Sequence, residues 1–377
     1  MSAKLAVITS QVGAVSETFI RKHLEGIAPG ETVAIALRSS HPTGGRWDAG
    51  CPVLYLDEVA KRWSTRLAYR VGRSWRELRA KAVADFLRQH GVGVVLGEYL
   101  DLFVEFVPTL DRLAIPYVTQ GHGIDLSASL RKPDVAKSYG AYRSARAVLT
   151  RCEFHRRRLI DLGLPADKVH VNPGGVDLPD EAPARGPQAG KRLLAVGRMT
   201  AKKGPIYTLE AFRRAAARDP DLHLDYVGGG PLEDAVAQFV DACDLADRVT
   251  LHGAASEAVK AQLLRDCGVF VQHSLTDPAT GDEEGLPAAI QEAMANALPV
   301  IGTRHAGIPE AVAHGETGLI IEEGDVNGMA EAMLAIGPMA AAFGQAGRQR
   351  AAAKYGWPHE RARLASWLFN EAPAAAR

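Results

Sequence analysis

Four prolines in the second half of this chain, Pro205, Pro231, Pro287 and Pro309, each stand between one short apolar run and the next. Proline at a first helical turn costs nothing, because that amide has no intrahelical partner. Each proline therefore marks a helix opening just after a strand. The strands are 192–196, 222–227, 249–251, 269–272, 299–301 and 319–321, and a further helix starts near Ser256. The first half repeats the rhythm less regularly. Its strands are 5–9, 33–37, 92–96, 117–119, 147–150 and 169–171, with helices such as 16–27, 74–90 and 153–162 between them. This βαβα alternation means parallel sheets with helices on both faces. Between the two series, 179–191 gathers three prolines, two glycines and several charges, which is linker chemistry. The expectation is an α/β chain of two doubly wound domains, 1–182 and 183–357, facing across a cleft, with a C-terminal helix at 358–377 rejoining the first. Ligands in such sheets sit beyond the carboxyl ends of the strands.

The balance of residues fits a globular protein, with 47% hydrophobic and 23% charged among 377 residues. Net charge is zero but unevenly spread: residues 1–180 hold 25 Lys and Arg against 19 Asp and Glu, and the remainder reverses this. Cys51, Cys152, Cys243 and Cys267 have no metal-site or redox spacing, so they read as reduced cytosolic thiols. The apolar start is too short for a signal peptide, and no run approaches the roughly 20 apolar residues of a membrane span. A cytoplasmic protein is expected.

The segment Gly281-Asp282-Glu283-Glu284-Gly285-Leu286-Pro287 puts acids and glycine before a proline-started helix, with Glu292 inside that helix. Carboxylates accept hydrogen bonds and suit sugar diols. A helix start with free amides suits phosphate. Glu284 and Glu292 lie too far apart to be neighbours on one helix, so they read as two grips on one ligand rather than a catalytic dyad. Each acid taken singly is equally an ordinary surface residue. A second strand-to-helix loop carries Arg198, Lys203, Gly204 and Pro205. Arginine offers a planar fork to phosphate and lysine a point charge, although such a loop also occurs with merely exposed basic residues. Gly228 and Gly229 at a third strand end let a nucleotide lie against backbone, or simply make a tight turn. Neither a dinucleotide fingerprint nor a phosphate-binding P-loop sequence is present.

In the first half, His122 sits between two glycines just after a strand, placed to hydrogen-bond a sugar hydroxyl. Asp125 orients that loop or serves an acceptor. Gly13 and Ser16 follow the first strand, Ser16 as an N-cap or a phosphate or acceptor contact. Asp219-Pro220-Asp221 imitates a metal-nucleotide motif but precedes a strand, so it reads as a turn. Residues 61–81 carry eight Lys and Arg with one acid, and Trp63, Tyr69 and Trp75 among them. Such a mixture suits an anionic lipid surface, hence a peripheral place at the inner face of the plasma membrane, or a solvated helix face. Nucleic acid is not expected, because no recognised module accompanies the local charge.

Together these segments resemble glycosyltransferase family 4, retaining enzymes of the GT-B architecture. The resemblance runs from about Leu193 to Ile321 through G-R-x-x-x-x-K-G at Gly197 to Gly204, G-G-G-P-L at Gly228 to Leu232, E-G-L-P-x-x-x-x-E at Glu284 to Glu292 and P-V-I-G-T-x-x-x-G-I-P-E at Pro299 to Glu310. The first half matches through S-E-T-F-I at Ser16, H-G-I-D at His122 and N-P-G-G-V-D at Asn172. S-E-T-F with G-D-x-E-G-x-P is similar to the branch that builds colanic acid and related exopolysaccharides. One departure is the first loop, where the family often has two glycines and this chain has Gly13 alone.

The resemblance implies that Arg198 and Lys203 neutralise a donor diphosphate, that Glu292 holds ribose hydroxyls, and that Glu284 binds the transferred sugar, with the Gly285 and Leu286 backbone nearby. It implies that His122 sits beside that sugar, and that neither a metal nor another cofactor is required. The expected function is transfer of a hexose from a nucleotide sugar to a glycan or lipid-linked acceptor. A nucleotide-sugar epimerase, a phosphorylase and a non-catalytic sugar-nucleotide-binding protein are the alternatives. The donor base, the sugar and the acceptor are not readable from these residues.

Overall fold

A computed structural model describes residues 4–13, 18–39, 47–59, 61, 74–186 and 189–370. The chain divides into two compact units. One comprises Met1–Arg151, His155–Asn172 and Pro358–Arg377, and the other Cys152–Phe154 and Pro173–Trp357.

The first unit is built on a seven-stranded parallel sheet. Its strands are β1 (Lys4–Gln11), β2 (Thr32–Arg38), β3 (Val53–Tyr55), β4 (Val92–Glu98), β5 (Tyr117–Gln120), β6 (Ala147–Thr150) and β7 (Val169–Val171), in the order β3-β2-β1-β4-β5-β6-β7. Among the described strands, the three-residue β3 is absent from the sequence reading. Strand β4 runs two residues beyond its expected end at 96, which puts Glu98 at its tip. Apolar side chains from the strands meet those of the helices, with Phe103, Tyr117, Tyr139 and Tyr142 among the most enclosed. Helix Trp75–Gln89 starts with a capping box: Ser74 Oγ accepts from the Glu77 amide, and the Glu77 carboxylate accepts from the Ser74 amide.

The second unit repeats the plan with six parallel strands: β8 (Arg192–Val196), β9 (His223–Val227), β10 (Val249–Leu251), β11 (Val269–Gln272), β12 (Val300–Thr303) and β13 (Gly318–Ile321). Their order is β10-β9-β8-β11-β12-β13. Both sheets thus start at an inner strand, build outward on one side, and then cross to the other. The points of reversal lie between β1 and β4 and between β8 and β11, where open α/β sheets take their ligands. Helix Pro205–Ala216 opens on its proline as expected, and Pro287 and Pro309 also stand at helix starts.

The described part of the proline-rich stretch expected to be a linker, 179–186, is bonded to the second unit. Arg185 is the reason. Its guanidinium donates to the carbonyls of Cys267 at 2.6 Å, Leu264 at 2.8 Å and Asn296 at 2.7 Å. These carbonyls close the helices Glu257–Asp266 and Ala288–Ala295, where the last turns leave acceptors without intrahelical donors. Arg348 ties the same stretch down through the carbonyls of Pro179 and Asp180. Asp219 and Asp221 form the turn before β9, with Asp219 paired to Lys191.

The C-terminal helix Trp357–Phe369 joins the first unit through a buried charge cluster. Glu360 accepts from His23 Nε2 at 3.4 Å and Arg151 at 3.2 Å, and His23 Nδ1 lies 2.6 Å from Glu98. Burial alone would lower the His23 pKa, but Glu98 and Glu360 outweigh it and raise the value to about 9. The folded state therefore holds a proton on His23 that the unfolded chain releases near pH 6.5. The resulting stabilisation is complete below about pH 6.5 and is lost as pH rises toward 9; the shift is worth on the order of 3 kcal/mol. Thermal unfolding of the first unit should accordingly weaken between pH 6.5 and 9, and a His23→Gln protein should lack that slope. A second expectation concerns Gly204, whose φ is +53° and whose added Cβ would stand 2.1 Å from the His273 carbonyl oxygen. Gly204→Ala should cost roughly 2 kcal/mol or more in urea unfolding of the second unit.

Candidate functional site

The loop after β8 and the loop after β11 flank the reversal point of the second sheet, and they meet through charge. Lys203 Nζ lies 2.9 Å from Glu284 Oε2, and Lys202 Nζ lies 3.3 Å from Glu284 Oε1 and 3.0 Å from Asp282. Glu284 is therefore held by two lysines. Burial opposes its ionisation, yet Lys203 and Lys202 hold its pKa down at about 2. Lys203 moves the other way. Burial lowers its pKa, and Glu284 does not fully offset burial together with the positive charges of Lys202 and Arg198. Arg198 is exposed, and its guanidinium has no hydrogen-bond or ion-pair partner among the described residues. Among the described residues, Lys202 and Lys203 form ion pairs with two carboxylates, Asp282 and Glu284, while Arg198 adds a third cation. The excess positive charge is suited to an anion, which would also relieve the crowding at Lys203.

The sequence reading had separated Lys203, on phosphate, from Glu284, on sugar; the structure brings them into one contact. It also adds residues that reading missed. Lys202 is one, an adjacent cation with nothing in its local pattern to distinguish it from Lys203. His305 is another. The Glu284 amide donates to His305 Nε2 at 3.1 Å, so the ring proton sits on Nδ1, which donates to Glu323 at 2.6 Å. The Gly307 amide donates to the Gly285 carbonyl at 2.9 Å. Together these bonds fix the acidic loop from below.

Leu286 is buried with Ile290 in the core, so its side chain anchors the loop. Pro287 stands at the N-cap of helix Ala288–Ala295 with no side-chain cap bond to its first amides. Glu292 projects from the second turn and is paired with Lys260 at 3.1 Å. Lys260 is in turn 2.9 Å from Glu257. Burial opposes the Lys260 charge, but the two carboxylates raise its pKa above the usual value.

The glycines after β9 have a structural task. At Gly228, φ is +141° and a Cβ would stand 1.9 Å from the Gly197 carbonyl oxygen. At Gly230 a Cβ would stand 2.8 Å from the Met199 carbonyl oxygen, and at Gly229 it would meet the Glu233 carboxylate at 2.9 Å. The Met199 amide donates to the Gly229 carbonyl at 2.9 Å. Gly228 and Gly230 seat this loop on the basic loop and so shape the surface that Arg198 stands on.

In the first unit, His122 and Asp125 follow β5, beside the tips of β1 and β4. Asp125 is buried, and its carboxylate accepts from the amides of His122 and Gly123 at 2.9 Å each and Leu100 at 2.8 Å. Those bonds commit the carboxylate to loop shape, the first of the two roles expected for Asp125. His122 Nε2 lies 2.6 Å from Glu98. Gly13 is buried at φ +103°, directly behind β1. Ser16 lies outside the described residues, as do Trp63, Tyr69 and most of the basic stretch 61–81; Trp75 to Lys81 lies on helix Trp75–Gln89.

Comparison with known proteins agrees with this layout. The family model for glycosyltransferase family 4 matches residues 33–179, and the model for glycosyl transferases group 1 matches 190–337. WcaL of Escherichia coli, named for colanic acid biosynthesis, is 33% identical over 218 residues, covering 57% of this chain and 53% of its own. AmsK of Erwinia amylovora, an amylovoran biosynthesis glycosyltransferase, is 32% identical over 221 residues, covering 58% of this chain and 54% of its own. The chain spans about half the length of these curated relatives in the matched stretch. Among solved structures, HepE of Anabaena in complex with UDP-glucose superposes with a TM-score of 0.76 at 16% identity, covering 98% of this chain and all of that one. That likeness shows the fold, two Rossmann-like domains of the GT-B class. The chain thus carries a glycosyltransferase family 4 domain over 33–179 and a glycosyl transferases group 1 domain over 190–337, and these matches make it a glycosyltransferase.

Proposed function

We propose that this protein is a retaining glycosyltransferase that moves a hexose from a nucleoside diphosphate sugar to a hydroxyl of a glycan or lipid-linked acceptor in polysaccharide synthesis. The observation that carries the reading is the contact of the basic loop with the acidic loop at the reversal point of the second sheet. One loop offers charge for a diphosphate and the other offers carboxylate for sugar hydroxyls, and the helix start at Pro287 directly follows the acidic loop in the chain. The printed names of WcaL and AmsK add the polysaccharide context.

In this reading Arg198, Lys202 and Lys203 stabilise the charge that develops as the bond from the anomeric carbon to the diphosphate oxygen breaks. Aimed electrostatics of this kind is commonly the largest catalytic term. The acceptor oxygen bonds to the same face of the anomeric carbon, and its proton passes to the departing phosphate. No side chain has to act as a conventional base. Glu284, held ionised by its lysines, accepts from sugar hydroxyls, and Glu292, paired with Lys260, accepts from the ribose. His122 contacts the transferred sugar. The countercharge comes from the protein, so no metal ion takes part.

A nucleoside diphosphate sugar that is the donor should raise the melting temperature in a thermal-shift series, because it binds the folded state. Arg198→Ala should lower turnover by roughly 100- to 1,000-fold, the usual loss on removing one charge-stabilising donor. Wild-type turnover by that variant would sink the assignment. Full activity should persist in EDTA; a requirement for added divalent ion would refute the metal-free mechanism.

A further inference from the structure

Glu98 is the group around which the polar interior of the first unit is arranged. Its two oxygens are divided between two histidines, Oε1 at 2.6 Å from His23 Nδ1 and Oε2 at 2.6 Å from His122 Nε2. The side chains of Glu98 and His23 are fully enclosed, while His122 keeps 9% of its side chain exposed. Both ring nitrogens of His23 face carboxylates, Glu98 and Glu360, so His23 carries a proton on each. Burial resists the charge on Glu98, but His23 and His122 hold its carboxyl far below the usual range.

An ionised carboxylate only accepts hydrogen bonds. Its bond to His122 therefore needs the proton on Nε2, and in the neutral ring Nδ1 is left with a lone pair. The plane of the ring is fixed as well. Phe19 lies 4.5 Å and Tyr99 4.7 Å from its centroid, and Arg151 stands over the Phe19 ring at 5.4 Å. The backbone is fixed by Asp125, which takes the His122 amide. Tautomer, plane and main chain are thus each set by a different neighbour.

We infer that Glu98 is the positioning residue of His122, fixing it in the Nε2–H form so that Nδ1 acts as a hydrogen-bond acceptor. His122 then selects a donor on its ligand, a sugar hydroxyl, and not an acceptor such as a phosphate oxygen. The C-terminal helix takes part at one remove, since Glu360 shares His23 and His23 keeps Glu98 charged. This inference rests on the reading of His122 as a sugar-contacting residue, yet the tautomer itself does not.

The test is nitrogen-15 spectroscopy of the histidine rings in the intact wild-type protein at pH 8, with His122 assigned by its loss in His122→Gln. A neutral ring with Nε2 protonated and Nδ1 bare is expected. An Nδ1-protonated or doubly protonated His122 overturns the inference. Glutamine at 98 presents one oxygen and one amino group, so it cannot accept from both histidines. Glu98→Gln should therefore mix the His122 tautomers and lower kcat by about 10-fold or more, in line with loss of an orienting partner. Its affinity for a nucleoside diphosphate, measured by calorimetry, should stay within about twofold. Glu98→Asp keeps an acceptor-only carboxylate and should retain the Nε2–H form with part of the lost turnover restored. Unchanged kcat in a folded Glu98→Gln protein overturns the inference. If Glu98→Gln does not fold, the wild-type spectrum and Glu98→Asp decide. Wild-type transfer by His122→Gln would remove the sugar-contact reading while leaving the Nε2–H assignment to the spectrum.

Discussion

The carboxylate of Glu284 is the point on which the second unit's chemistry turns. It is largely enclosed, it carries charge, and it remains ionised because Lys202 and Lys203 each take one of its oxygens. A charge in such a place is tolerated only when it is paired and hydrogen-bonded. Everything near it serves that condition. His305 and Glu323 hold the amide of Glu284, and Gly307 holds the carbonyl of Gly285. Gly204 turns left-handed so that the basic loop can approach the β11 tip, where the His273 carbonyl leaves no room for a side chain. The lysines are at once structural partners of an acid and a reserve of positive charge for a ligand.

The first unit solves a related problem with different parts. A carboxylate at a strand tip, Glu98, is again shared between two nitrogen donors, but these are histidines rather than lysines. Histidine brings a directional ring and two distinct nitrogens, so the pairing sets orientation as well as charge. Lysine brings a point charge with free rotation. One carboxylate, on the loop after β11, therefore stores charge, and the other, at the tip of β4, aims a ring.

Much of this plan was legible in the sequence. The strand-helix rhythm, the prolines at helix starts and the glycine-flanked loops come from local chemistry, and local chemistry is what a single chain displays. Arg198, Lys203, Glu284 and His122 were marked because each sits in such a loop. What escaped notice depends on distance along the chain. Glu98 is a lone acid after an apolar strand, and His23 lies on the solvent-balanced pattern of a short helix; only their meeting, 75 residues apart, gives them meaning. Glu360 joins from 337 residues beyond His23. For Asp125 the sequence leaves two roles open, orienting its loop or serving an acceptor, and three backbone amides take its carboxylate. Arg185 escaped because prolines and glycines around it mimic a flexible crossing, and the carbonyls that hold it belong to two helices more than 75 residues away.

Arg185 also separates two kinds of sequence freedom in the second unit. It gathers the carbonyl ends of helices Glu257–Asp266 and Ala288–Ala295, which lie at the opposite rim of the sheet from the tips of β8 and β11. One rim is tied by a neutral clasp of main-chain oxygens, and the other carries the lysines and acids. Changes in the loops at the charged rim alter what the unit recognises without loosening the tie, so the scaffold can keep its shape while its specificity drifts.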